Sequence, residues 1–477
     1  MIKINFKRYI MPALLLATII SCKKEDFEVA TELDPNAPPT ALYLNNANKA
    51  QIRQLGVGLQ SVVRSAFLDF GRVSGTVGRE VIYSASTDNR YFTELLGTNV
   101  AQYGGTAAGA NDPAGIFNTY YSAYSQARRR AEMFIIAANN TTAISAAEKK
   151  AIEGFSRTLQ AYVTLNLATM QGKNGIRESF TDLLTPGDML KPGKFGTYAT
   201  ALTLCKKYAD DGLAALNAAG TVAFPFTNFL AYVTPPAQVP DPSIAEFKKV
   251  NRAIAARIAM YQSDWTGMLT ALNQSFLNLT GNLRVGPSFN FSTAPNDVTN
   301  GLFHVANSGG APYVVFAEVI ADAEAGDTRV FGTTAKVGPR LSARQSGPFN
   351  STHEVRMFTS NTSSASIIRN EELVLMYAEA SAQTNAFANA KTALDLIRTT
   401  YGLAPYTGPL TTAALINEVL KQRRYSLFFE GHRWFDMRRY NRLSQIMPQG
   451  SIGGNTFVVF EAMSRPDAEV QWDIRNP

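Results

Sequence analysis

A chain of 477 residues, 45% hydrophobic and 17% charged, holds ample material for a large core or two domains; it is neither disordered nor polytopic in composition. The formal net charge is +7, and loss of a leader carrying Lys3, Lys7 and Arg8 would leave +4. That balance, with no basic patch interleaved with aromatics in a loop, excludes a nucleic-acid-binding surface.

The first 21 residues read as a secretion signal: a basic start is followed by an apolar run, Ile10–Ile20, too short to span a bilayer. The run ends in Ile19-Ile20-Ser21-Cys22, which resembles a lipobox, so Cys22 is expected to be acylated and to become the first mature residue. An ordinary signal peptide that happens to hold a cysteine is the alternative. Residues 22–45 read as a tether, since Lys23–Asp26 is charged and Leu33–Thr40 is rich in proline and turn formers. With Cys22 spent on lipid, Cys205 has no disulfide partner and reads as a buried small hydrophobe on a helix.

The remainder, 46–477, is predicted to be one mainly α-helical domain. Ile52, Leu55, Leu59, Val62 and Val63 make the first amphipathic stripe. Periodicity then fails over 69–113, a Gly-, Ser-, Thr- and Asn-rich stretch that carries Tyr83, Asp88, Asn89, Arg90, Tyr91 and Tyr103. An irregular stretch this long inside a domain is uncommon and often functional. Helices resume with Phe117–Phe134, then with two helices opened by the capping boxes Ser145–Glu148 and Ser243–Glu246, and with Tyr198–Leu216 between them. Trp265, Met268, Leu269 and Leu272 read as a continuation of the helix after Ser243, with Trp265 in the core. A second irregular stretch, 277–367, holds Phe289, Asn290, Phe291, His304, Asn307 and Tyr313, with β-like runs such as Pro312–Val319. Helices return at Arg369, where small residues alternate with large ones in a tetratricopeptide-like pattern that lets antiparallel helices approach closely. About four divergent helix pairs interrupted by two long irregular insertions account best for the whole.

Glu418–Arg442 is the most informative stretch. Its apolar residues keep helical spacing until Gly431, which implies two helices or one sharp bend. Arg423, Arg424, Glu430, His432, Arg433, Asp436, Arg438 and Arg439 crowd beside Trp434 and Phe435. Charges so placed must be paired, and the spacing permits Glu430 with Arg433 and His432 with Asp436. Arg424, Glu430, Arg433 and Asp436 are therefore expected to form a structural ion network; the competing reading makes Glu430 and Asp436 the carboxylates of a glycosidase.

The same stretch carries a resemblance. Glu430–Arg439 (EGHRWFDMRR) is similar to the C-terminal signature of the SusD/RagB family of nutrient-binding outer-membrane lipoproteins of Bacteroidetes. Arg369–Ser381 (RNEELVLMYAEAS) and Ala393–Leu403 (ALDLIRTTYGL) resemble two further signatures of that family, in the family's order. The charged run after Cys22 likewise resembles the surface-export signal of such lipoproteins. The resemblance implies a SusD-like fold and a lipid-anchored outer-membrane subunit facing the exterior. Such a subunit captures oligosaccharide, or less often peptide, for a SusC-like TonB-dependent transporter.

The chemical inventory points the same way. Three histidines, His304, His353 and His432, lie far apart without metal-ligand spacing, and no nucleophile elbow, phosphate loop or dinucleotide fingerprint occurs. No enzyme activity, cofactor or metal is expected. An open sugar site needs aromatic faces and Asn, Asp or Arg for hydroxyls. The candidates for ligand binding are Tyr91, Tyr103, Phe291 and Tyr313 as stacking rings and Asn89, Arg90 and Asn307 as polar partners, all in the two insertions. A helical-repeat scaffold that binds only protein is the remaining alternative.

Overall fold

The computed structural model describes residues 44–84, 90–97, 115–179, 192–228, 230–234, 237–239, 242–295, 297–310, 312–332 and 335–476. The expected leader, Cys22 and most of the tether lie outside them, as do Asn89 and Tyr103.

Each long helix begins where a side chain satisfies the first free N–H groups. α1 (Lys49–Val77) opens on an Asn48–Gln51 capping box; after α2 (Arg90–Leu96) and α3 (Asn118–Asn140), α4 (Ala146–Gln171) opens on Ser145–Glu148. α5 (Tyr198–Ala219) uses Thr197 and Thr200, and α6 (Ile244–Gln262) uses Ser243 and Glu246. Both boxes expected from the sequence are thus formed. α6 stops at Ser263, which takes a left-handed φ of +57°, and Asp264 caps a separate helix, α7 (Trp265–Asn273). The expected continuous helix is therefore two, and Trp265 sits half-buried against the core.

α1 packs on α3, α4 on α5, and α6 on α7, with α3 on α4 and α5 on α6 linking the pairs. A fourth pair, α9 (Asn370–Gln383) with α10 (Phe387–Thr400), joins this row through α7. The first three pairs and one face of α9 share one core, in which Phe155 stacks on Phe247 and meets Phe224 and Phe226 edge-on, while α10 and the other face of α9 pack in a second cluster. Cys205 is fully buried in the shared core, and burial pushes its thiol up to about 12, so it stays a neutral hydrophobe.

α1 runs on to Val77, well into the stretch expected to be irregular. Gly71, Ser74 and Gly75 are small there for packing reasons. A Cβ on Gly75 would stand 2.9 Å from the Phe429 ring, and Ser74 bonds the Phe70 carbonyl within its own helix. The two insertions also build common structure. β1 (Val81–Tyr83), from the first, pairs antiparallel with β5 (Tyr313–Val315), from the second, and the sheet continues through β7 (Phe349–Val355) to β6 (Val337–Ser346). α8 (Ala317–Ala321) follows β5. A second sheet orders β2 (Leu230–Thr234), β3 (Ala237–Val239), β4 (Gly286–Phe289) and β8 (Ala365–Ser366) as β3-β2-β4-β8.

The charged C-terminal stretch is two helices, α11 (Thr412–Ser426) and α12 (Arg433–Arg439), joined by a turn in which Phe429 and Gly431 have φ of +60° and +83°. β9 (Gly450–Ile452), β10 (Asn455–Phe457) and α13 (Asp467–Arg475) end the described chain. No helix among the described residues is long and apolar enough to cross a membrane.

Candidate ligand-binding site

Antiparallel pairing of β1 with β5 sets Tyr83 opposite Tyr313, and α2 brings Tyr91 to the same place. The Tyr83 ring lies 4.8 Å from Tyr91 and 4.9 Å from Tyr313, centroid to centroid. Arg72, half-buried on α1, reaches over all three rings at 5.4–5.8 Å. Its Nε donates to Tyr313 Oη at 2.6 Å, and its Nη1 donates to Tyr91 Oη and to Asp69 Oδ1, both at 3.2 Å. Asp69 and Arg72 are three residues apart on α1, so helix geometry alone brings them together. Burial pushes the Asp69 carboxyl up, and Arg72 only partly opposes this. Burial likewise raises the Tyr313 hydroxyl, so it remains protonated and donates onward to the Gly301 carbonyl at 3.0 Å.

The structure thus unites two of the sequence candidates, Tyr91 and Tyr313. Their rings are 8% and 1% exposed, so they back the site and offer no free stacking face. The half-buried ring is Tyr83, which the sequence reading notes without selecting, together with Arg72 and Asp69. The i,i+3 spacing of Asp69 and Arg72 was the available signal. Arg90 is exposed at the start of α2. Phe291 is 5% exposed and sits under Arg64, away from this cluster. Asn307 holds its own loop: its N–H donates to Glu354 Oε1 and its Oδ1 accepts from the Leu341 N–H, both at 2.7 Å.

The ion network of the C-terminal stretch is real, but its partners differ from those expected. Glu430 is held by Arg369 and by Lys336 (3.3 Å), and Asp436 by Arg423 (2.7 Å) and Arg439 (2.9 Å). Neither Glu430–Arg433 nor His432–Asp436 forms a side-chain pair; Arg424 pairs with Asp322 at 2.7 Å, and Arg433 stands outside the network. Burial alone would raise the Asp436 carboxyl, yet Arg423 and Arg439 hold it down to about 2, so it carries no proton to donate at neutral pH. A carboxyl so fixed cannot serve as the general acid that glycoside hydrolysis needs. Trp434 anchors this region, fully buried, with its Nε1 donating to the Phe460 carbonyl at 2.7 Å.

Residues 337–476, which contain all three signatures, match the model of the SusD family. Over this C-terminal region the chain is similar to the SusD family. No curated protein sequence matches it. Among solved structures, it is similar to a SusD-like protein from Bacteroides fragilis at 13% identity and a TM-score of 0.62, over 89% of this chain and 94% of that one. A laminarin-binding SusD-like protein overlaps 89% of this chain and 97% of its own at 15% identity and a TM-score of 0.60. A SusD-like carbohydrate-binding protein from Bacteroides vulgatus overlaps 82% and 83%, at 12% identity and a TM-score of 0.56. At such identities these structures show the SusD-like fold across most of the chain, including the helix pairs that the family model does not reach.

Proposed function

We propose that this protein is a cell-surface lipoprotein that captures oligosaccharide, or peptide, and passes it to a SusC-like TonB-dependent outer-membrane transporter. The observation that carries this reading is the SusD-like fold spanning the chain, in a family with carbohydrate-binding members. The Arg72–Tyr83–Asp69 surface supplies the required chemistry: a ring for the apolar face of a sugar, and a guanidinium and a carboxylate for its hydroxyls. Tyr91 and Tyr313 hold that surface rigid, and Asn89, Arg90 and Tyr103 are proposed as further ligand contacts. A glycan and peptide array probed with the protein identifies the ligand. Against that ligand, Tyr83→Ala and Arg72→Ala are each expected to weaken binding by about 1–3 kcal/mol, by analogy with ring stacking on bases, with the unfolding midpoint of Tyr83→Ala little changed. Parent-like affinity in both variants would place the site elsewhere.

Anchoring is proposed to run through Cys22, on the strength of the basic, apolar, Ile-Ile-Ser-Cys order. Cys22→Ala is expected to shift the protein from the membrane to the soluble fraction on cell fractionation. Retention as tight as the parent's would sink the assignment. A protein-only scaffold is the second reading; binding of the purified protein to a free glycan separates the two.

A further inference from the structure

Arg433, expected in the ion network, makes no hydrogen bond or ion pair with any described residue, although it is half-buried. It opens instead on a cavity of about 550 Å³ between α11 and α12. Lys421, Arg424 and Arg442 line the same cavity, and Asp322 is the one acid of its wall. Of these four cations, Arg433 and Arg442 have no ion pair among the described residues. Asp322 pairs with Arg424; Arg442 donates only to the neutral amide of Asn417, at 2.6 Å; Lys421 shares Glu324 with Arg398. Arg424 Nε is buried without a hydrogen-bond partner among the described residues. Two buried carboxyls act on Arg433: Asp436, which is already shared by Arg423 and Arg439, and Glu80, which burial pushes up to about 8, so that it is mostly neutral at pH 7. Burial, then the like charge of Arg424, lowers Arg433 to about 10.

Guanidiniums without a counter-charge on the wall of one cavity favour an anion there, and the planar fork of arginine fits a carboxylate or sulfate with two parallel hydrogen bonds. The volume suits a small ligand of one to three sugar rings. The amides of Asn417 and Gln445, also on the wall, suit hydroxyls. We propose that this cavity binds the carboxylate or sulfate group of an acidic saccharide, with Arg433 and Arg442 as its principal contacts. The site is separate from the Tyr83 surface; that its anion is carried on a saccharide rests on the capture reading, whereas anion binding itself does not.

The test is calorimetric titration of the full chain with digalacturonate, with its methyl ester, and with inorganic sulfate. Digalacturonate is expected to bind, its ester about tenfold or more weaker, and binding should fall with added salt. Arg433→Gln and Arg442→Gln are expected to weaken digalacturonate by about tenfold or more and by severalfold, respectively, while Tyr83→Ala leaves it unchanged. Arg442 forms no ion pair among the described residues, its side chain donating to Asn417 and lying over the Tyr440 ring, so its variant remains informative if Arg433→Gln does not fold. Silence toward both digalacturonate and sulfate overturns the proposal. So does equal binding of acid and ester, binding indifferent to both arginines, or binding of sulfate with no added affinity for the sugar acid.

Discussion

Asp436→Ala is expected to lower the stability of the protein by about 3–5 kcal/mol, because it strands the buried Arg423 guanidinium and takes from Arg439 one of its two carboxylates. Asp436 is 2% exposed and Arg423 1%, and Arg439 spans Asp436 and the fully buried Glu379. The native carboxylate offsets the desolvation of these cations; alanine offers nothing in its place, and water cannot enter a closed site to do so. The urea midpoint or the melting temperature reads the effect. Unchanged stability would mean that the arginines find other partners and that the network is not what holds α12 in place. Replacing charge and counter-charge together, as in Arg423→Met with Asp436→Leu, should recover much of the loss, since a buried ion pair is weak support compared with apolar packing of similar volume.

The same carboxylate predicts an acid limb. Its pKa in the folded protein is about 2, below the ordinary value of 3.8 that the unfolded chain would show. The unfolded state therefore binds the proton first as pH falls. The contribution of Asp436 is complete above the unfolded value and is lost on the way down toward pH 2. The difference in stability between the parent and Asp436→Ala should narrow across that interval and stay constant from pH 5 to 7.

Gly431→Val should be of comparable severity. Gly431 has φ of +83°, a region that a β-branched residue enters only under strain, and a Cβ there would lie 2.4 Å from the Phe70 ring and 2.8 Å from Ser74 Oγ. The turn between α11 and α12 must pass close over α1 at this point, and only a residue without a side chain permits it. Left-handed strain of about 1–2 kcal/mol and overpacking of about 1–3 kcal/mol add, and the expected result is marginal or insoluble protein. Gly454→Ala is the matched control: its φ is +79°, but nothing lies within 4 Å of the added Cβ. If both variants express and melt alike, the close approach of the turn to α1 is wrong.

The sequence by itself determined what depends on neighbours along the chain. The capping boxes at Ser145 and Ser243 formed because a side chain three residues from a free N–H can reach it whatever the rest of the fold does. Gly431 broke the C-terminal helix where the apolar period broke, and Cys205 was buried because it lay on an apolar stripe. Three ordered signatures were enough to indicate the family and, with it, the architecture. Tertiary structure decided which charges met. Glu430 found Arg369 and Lys336, 61 and 94 positions away, because burial rewards the geometry that satisfies a carboxylate best, and sequence distance carries no cost once the chain is folded. Gly75 in α1 made room for Phe429 rather than for a loop, and Trp265 stayed half-buried because Ser263 turned the chain first. The two irregular insertions became one surface because β1 and β5 pair across them; that pairing turned Tyr91 and Tyr313 inward and left Tyr83, Asp69 and Arg72 only half-buried. Local pattern fixes helices by hydrogen bonds within a few residues; long-range burial alone chooses which side chains remain to do chemistry.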